Sequence, residues 1–288
     1  MKFCEKIKSG KFIITSEIAP PKGTDTAEIL AEAELLKGRV DAINVTDLQS
    51  SVMRAGSLPL AYLLKERGIE PVFQITCRDR NRLALQSDLL SASILGIENV
   101  LVLTGDYPAL GDHPEAKPVF DLDSAQLLEV IRGMQGGKDM KGNALKGSPR
   151  FCVGAVVNPG ADPLEPEIIK MERKIEAGAE FFQTQAVYDV ELFKKFIGSV
   201  KHLKVPVLAG IVLLKSAAMA RYMNKNISGV YVPEGLIEEM ERAKDKEASS
   251  VSIAVRLIKE IRPLCQGVHI MPIGWVKKVP LVLDAAGL

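Results

Sequence analysis

The chain has 288 residues, 47% hydrophobic and 25% charged, with 37 Lys and Arg against 36 Asp and Glu for a formal net charge of +1. Those proportions belong to a globular protein with a sizeable core. Near-neutral charge and 5% aromatics leave neither the basic footprint nor the stacking surface that nucleic-acid binding uses.

No run approaches the roughly 18 apolar residues of a membrane span. The opening MKFCEKIKSGKF lacks the apolar stretch of a signal peptide, so the expected location is cytoplasmic. Cys4, Cys77, Cys152 and Cys265 lie far apart in sequence and form no CxxC pair, which argues for reduced thiols and against a local zinc or iron–sulfur site.

In chain order, strands are predicted at 12–18, 42–45, 71–75, 100–104, 151–157, 181–185, 207–213, 230–232 and 268–271. Each is a short aliphatic or β-branched run bounded by Gly, Pro, Asp or Asn. Helical periodicity falls at 25–37, 81–95, 123–134 and 163–177, with a long helical segment within 236–261 and a closing helix at 275–286. Apolar strands alternating with helices mean parallel βαβ units. Nine strands are one too many for an eight-stranded barrel. The shortest, 230–232, is followed by Pro233 and reads as a loop before the long helix. An open doubly wound sheet would want a Gly-rich turn after the first strand, where the chain has EIAPPKG, and neither GxGxxG nor GxxxxGK[ST] occurs. The expectation is one α/β domain over 1–288, a single (β/α)8 barrel of TIM type with a long helical segment before the last strand. The Gly/Lys-rich stretch 133–148 reads as a surface loop within it.

In such a barrel, chemistry sits where the strands end. Six consecutive strands end in polar residues there: Glu17, then Asn44 to Asp47, then Gln74 to Arg82, then Thr104 to Asp106, then Asn158, then Gln183 to Gln185. Each has a plain alternative. Glu17 could pair with Lys22, Asp106 could turn the chain, the Arg78/Arg80/Arg82 group could be structural, and Gln185 could satisfy backbone groups. Together they make one convergent rim that suits a ligand. His113, His202 and His269 sit in no HExxH motif and beside no carboxylate cluster, so neither a metal site nor a histidine-centred triad is expected. The remaining acids, amides and the basic residues around Lys170 to Lys174 fit a polar heteroaromatic ligand carrying phosphates.

The segments SEIAPPKG, VTDLQSSVMRAG, QITCRDRNRLALQSDLLSASILGIENVLVLTGD, KPVFDLDSAQLL and EAGAEFFQTQAVYD resemble the methylenetetrahydrofolate reductase family, in the family's order, over roughly residues 12–214. The resemblance implies an eight-stranded barrel carrying a flavin, FAD with FMN as the alternative. It implies reduction of 5,10-methylenetetrahydrofolate to 5-methyltetrahydrofolate by hydride from the reduced flavin. By motif, Glu17 resembles the general acid that opens the substrate's imidazolidine ring. Asp106 resembles the aspartate beside flavin and pterin, and Gln185 the folate-contacting glutamine, with Tyr188 on the same loop. Flavin contacts would come from Thr46, Gln74, Leu103, Thr104, Gly105, Asp106, Phe120, Asp121, Asp123, Asn158, Glu167, Arg173 and Lys174.

Physical chemistry agrees with those implied roles. The cofactor carries the redox chemistry while the protein positions and polarises. A carboxylate at Asp106 would disfavour an anionic reduced flavin and stabilise a cationic substrate. A general acid must hold its proton near neutral pH, which burial at a barrel mouth favours. Arg173 and Lys174 would offset phosphate charge.

The chain departs from the family in three places. Gln74 stands where several members have histidine, Glu167 where they have aspartate, and GVHIMPIGW does not match the FYTLNR-like ending of members using nicotinamide directly. The donor is therefore either NAD(P)H or a small partner subunit that supplies electrons, as in similar members from anaerobic one-carbon-metabolising bacteria. A homo-oligomer is compatible with the family. The alternative function is a flavin-free pterin-binding barrel that transfers one-carbon groups.

Overall fold

Eight short strands pair in parallel, in chain order, and the last returns to the first, so the sheet has no free edge. They are β1 Ile13–Ile18, β2 Ala42–Val45, β3 Pro71–Thr76, β4 Asn99–Leu103, β5 Cys152–Val157, β6 Phe181–Ala186, β7 Val207–Val212 and β8 Gly267–Met271. The computed structural model describes all of residues 1–288. The strands are apolar on both sides because one face fills the barrel and the other meets the helices. The outward residues and the helices share one continuous core that includes Ile43, Phe73, Val100, Phe182 and Ile211.

The helices are α1 Phe3–Lys8, α2 Ala27–Leu36, α3 Ser57–Glu66, α4 Arg82–Ile94, α5 Ser124–Gln135, α6 Glu165–Ala177, α7 Val190–Val200, α8 Ala217–Asn226, α9 Glu234–Arg242, α10 Lys246–Ile261 and α11 Val279–Ala286. The fold is the expected (β/α)8 barrel, and residues 230–232 form a loop as read from Pro233. The long helix expected within 236–261 is instead two. Asp245 accepts a hydrogen bond from the Ala248 amide at 3.0 Å and so caps a fresh helix, α10, after α9 has ended. The closing helix begins later than expected, with a 3-10 turn at Val276–Lys278 before α11. Residues 136–148 form a surface loop tied by an antiparallel bridge between Lys138 and Ala144.

The barrel interior has a dry floor and a polar upper part. Ile13, Ala42, Val72, Leu101, Cys152, Phe181 and Leu208 form the floor, sealed from below by Phe3 and Ile7 of α1. Phe3 meets Phe181 edge to face, with centroids 5.5 Å apart. Gly154 makes room for that ring: a Cβ there would lie 2.3 Å from Phe181 Cζ. Three lysines fasten the plug, each to an acid immediately before a strand. Lys2 pairs with Glu98 at 2.6 Å, Lys6 with Asp41 at 2.8 Å and Lys8 with Glu180 at 2.6 Å. No helix is long and apolar enough to cross a membrane.

Candidate active site

Above the floor, the inward positions turn polar. Glu17 on β1, Gln74 on β3, Gln183 on β6 and His269 on β8 line a cleft of about 370 Å³ that opens at the carboxyl ends of the strands, within the roughly 300–1,000 Å³ range of small-molecule sites. Leu101, Leu103, Val156 and Met271 give it an apolar lower wall.

The centre of the cleft is a chain of hydrogen bonds. The Gln183 amide nitrogen donates to Thr15 Oγ1 and to Asn44 Oδ1, both at 3.2 Å, and Asn44 Nδ2 donates back to Gln183 Oε1 at 2.7 Å. Thr15 Oγ1, having accepted from Gln183, has its own hydrogen to give. His269 Nδ1 lies 2.9 Å away, whereas the Val268 carbonyl is at 3.5 Å. The Gln183 amide also faces Nδ1 at 3.4 Å. With donors on that side, Nδ1 is the acceptor and the ring proton sits on Nε2. Nε2 faces Glu17 Oε2 at 3.5 Å, while Gln49 Nε2 donates to Glu17 Oε1 at 3.3 Å. Glu17 is thus buried, hydrogen-bonded by Gln49 and faced by His269.

The rim is organised by Arg78, itself only 2% exposed. Its guanidinium donates to the Leu48 carbonyl at 3.0 Å, Ser51 Oγ at 2.8 Å and the Asp106 carbonyl at 3.2 Å, and forks onto Asp79. It therefore joins the loops that follow β2 and β4. The first of these is strained, with Leu48, Ser50 and Ser51 at φ 46°, 55° and 58°, a left-handed conformation costing about 1–3 kcal/mol per residue. Beside it, Asp47 accepts two bonds from Arg80, at 2.7 and 3.1 Å, and one from the Thr76 amide at 2.9 Å. Gly105, at φ 98°, brings backbone against Thr76 and Arg78 where a Cβ would come within 2.4 Å of Thr76 Cγ2. That approach aims Asp106 over the mouth.

Helix α6 supplies the wall beyond β5. Glu167 and Lys174, two turns apart, face the same side. Glu167 Oε1 accepts from the Asn158 amide at 3.0 Å, and Lys174 Nζ donates to the Val156 carbonyl at 2.7 Å. Burial pushes the Lys174 ammonium below its ordinary pKa.

The structure gathers Glu17, Gln74, Leu103, Thr104, Gly105, Asp106, Asn158, Glu167, Lys174 and Gln185 around this one cleft. The other candidates stand apart from it. Tyr188 is buried and donates to the Val212 carbonyl at 3.1 Å, and burial pushes its phenol well above its usual pKa. Arg173 is on the exposed side of α6, since neighbours on a helix point about 100° apart. Asp121 is engaged by Arg82, whose guanidinium and amide hold it down at about 2. Asp123 caps α5 through the Gln126 amide, and Phe120 stacks edge-on to Tyr107. Thr46 is buried just below the rim, with its hydroxyl unpartnered. In sequence, His269 lies beside no carboxylate cluster. The fold places it against Glu17, and the inward parity of β8, shared with Gly267 and Met271, is the signal that would have found it.

A (β/α)8 barrel with a buried acid and a ring of amides at its carboxyl mouth belongs to the small-molecule-binding barrels that place their chemistry at that end. A family model described as methylenetetrahydrofolate reductase matches residues 2–287, and the chain belongs to that family. It is 28% identical, over 99% of its length, to methylenetetrahydrofolate reductase 2 of Schizosaccharomyces pombe, of which it covers 47%. It is 27% identical over 65% of its length to the 5,10-methylenetetrahydrofolate reductase of Pectobacterium carotovorum, covering 58% of that protein. The chain thus spans about half the length of these relatives. Among solved structures, it superposes with TM-score 0.66 and 18% identity on a Clostridium thermocellum protein described as binding two copies of 5-methyl-5,6,7,8-tetrahydrofolic acid, covering 98% of this chain and 96% of that one. At that identity the likeness is one of fold.

Proposed function

We propose that residues 1–288 form one catalytic barrel that reduces 5,10-methylenetetrahydrofolate to 5-methyltetrahydrofolate with a resident flavin, FAD by family resemblance and FMN as the alternative. The observation that carries this reading is Glu17, buried in the cleft and gripped by His269 and Gln49, with Asp106 on the same rim.

The cleft also fits a flavin. Lys174 is a buried cation whose only hydrogen bond is to a backbone carbonyl, so it has donors left for an anionic group. Gln74, Thr104, Asn158, Glu167 and Lys174 would hold the group, which when bound supplies the hydride.

The chain's own residues do the rest. Glu17 delivers a proton to N10 of the folate as the bond from N10 to the methylene carbon breaks, which opens the five-membered ring to the reactive 5-iminium cation. The His269 Nε2–H holds the Glu17 carboxyl in place, and Thr15 and Gln183 hold the imidazole tautomer. Asp106 places a negative charge near that cation as it forms. Gln185, on the exposed rim of β6, offers its amide to the pterin.

The test is an absorption spectrum of the purified protein under argon. A flavin band bleached by NADH or NADPH supports a self-contained reductase. A band that only dithionite bleaches supports the same reaction with electrons from a partner protein. No band, before or after reconstitution with FAD and FMN, overturns the flavin reading and favours flavin-free one-carbon transfer.

A further inference from the structure

The fold brings two cysteines and a carboxylate together at the end of the barrel opposite the cleft. Cys4 is on α1, Cys152 opens β5 and Glu180 immediately precedes β6. One ligand atom from each lies within 4.8 Å of the other two, and Cys4 Sγ stands 3.8 Å from Glu180 Oε2. Cys152 and Glu180 reach this point because β5 and β6 are neighbours, and Cys4 because α1 plugs the floor beneath them. A separation of 148 positions between the cysteines concealed the cluster from any local motif.

From this geometry we propose that Cys4, Cys152 and Glu180 form a binding site for a borderline-soft divalent cation of the zinc class, which clasps the N-terminal helix to the barrel floor. Two sulfurs and one oxygen make a donor set that selects zinc over the hard cations calcium and magnesium. A tetrahedral zinc with bonds of about 2.3 Å to sulfur and 2.0–2.2 Å to oxygen requires ligand separations below 4 Å. The three side chains therefore close in by less than an ångström or so, within the reach of a rotamer adjustment on a six-residue helix. A water molecule completes the tetrahedron on the side where Cys4 is half-exposed.

The charges also balance. Both thiols lose their protons on binding, so two thiolates and a carboxylate around a dication leave one negative charge. Lys8, 2.6 Å from Glu180 Oε2, is the matching positive charge. The carboxylate is oriented by a second bond, from the Val153 amide to Glu180 Oε1 at 3.3 Å. Conservation of structure, not chemistry on substrate, is the role of this end of the barrel. The site is independent of the flavin reading, since no residue of the cleft takes part.

Metal-stripped protein, kept reduced under argon, is titrated with Co2+ as a spectroscopic stand-in and then with Zn2+. The expected result is one Co2+ per chain, with a thiolate-to-cobalt charge-transfer band and the visible bands of a tetrahedral site, displaced by Zn2+. Zn2+ raises the thermal midpoint of the wild type and leaves that of Cys4→Ser unchanged. Cys4→Ser, half-exposed and tolerant of the change, loses the charge-transfer band, and Glu180→Gln weakens Co2+ binding. No band at saturating Co2+, or an undiminished band in Cys4→Ser, overturns the proposal. So does a Cys4–Cys152 disulfide in protein purified without reductant that Zn2+ fails to prevent.

Discussion

His269 Nε2 lies 3.5 Å from Glu17 Oε2, and neither side chain is more than 8% exposed. The carboxyl is the only partner on that face of the ring, and Thr15 and Gln183 occupy the other. Removing the Glu17 carboxyl while keeping its shape, as Glu17→Gln, is expected to lower folate reduction by about 10²–10⁴-fold, the usual contribution of a general acid. The bound flavin should still bleach with dithionite.

In the proposed mechanism His269 acts through Glu17, so its replacement reads out differently. His269→Asn is expected to lower kcat with little change in the folate KM and to change the pH profile of kcat. Thr15→Val, which removes the hydroxyl that fixes the tautomer, should do the same to a smaller degree. Steady-state kinetics across pH check both. A matching rise in KM would assign His269 to folate binding.

Lys174 bears on stability and on the proposed flavin site. Its pKa is depressed in the folded protein from an ordinary 10.5. Between the two values the unfolded chain binds more protons than the folded one, so stability at this site rises with pH through that window and is lowest below it. Lys174→Met is expected to abolish that rise in urea unfolding and leave the metal-free, cofactor-free protein at least as stable near neutrality. Flavin affinity should fall about tenfold or more, the loss of one charge-assisted hydrogen bond.

Arg78 holds the strained residues Leu48 and Ser51 and the backbone of Asp106 at once. Arg78→Ala should cost about 1–3 kcal/mol by urea unfolding, because the loops after β2 and β4 lose the buried guanidinium that joins them. Arg78→Lys recovers little of this, since an ammonium lacks the fork that spans both loops.

Gly105→Ala meets two penalties together, a left-handed backbone and a Cβ pressed to 2.9 Å from Arg78 Cβ as well as onto Thr76. About 2 kcal/mol or more of stability should be lost. Activity should fall further than stability, because the displaced residue carries Asp106 with it. Thermal melts and turnover of the same preparation measure the two losses.

The barrel was legible because each strand is a short apolar run with clear punctuation, and β2 Ala42–Val45 coincides with its sequence reading. Helices α1, α3, α7 and α8 were not marked. The first is only six residues long, and α3 carries Pro59 within its first turn. The break between α9 and α10 rests on one capping side chain, Asp245, within a continuous helical pattern. At the cleft, Glu17, Asp106 and Gln185 were legible as lining residues because each ends a strand at the mouth. Motif spacing could not separate Lys174 from Arg173, which differ only in which way α6 turns. Nor could it join Cys4 to Cys152, whose proximity depends on α1 packing beneath the barrel floor.

The most direct measurement is a single turnover. Flavin-loaded protein is reduced with a stoichiometric amount of dithionite under argon and mixed with 5,10-methylenetetrahydrofolate. The flavin band is expected to return, with one 5-methyltetrahydrofolate formed per flavin reoxidised, and to remain bleached in Glu17→Gln over the same interval. A wild-type flavin that stays reduced in the presence of saturating folate would contradict the account.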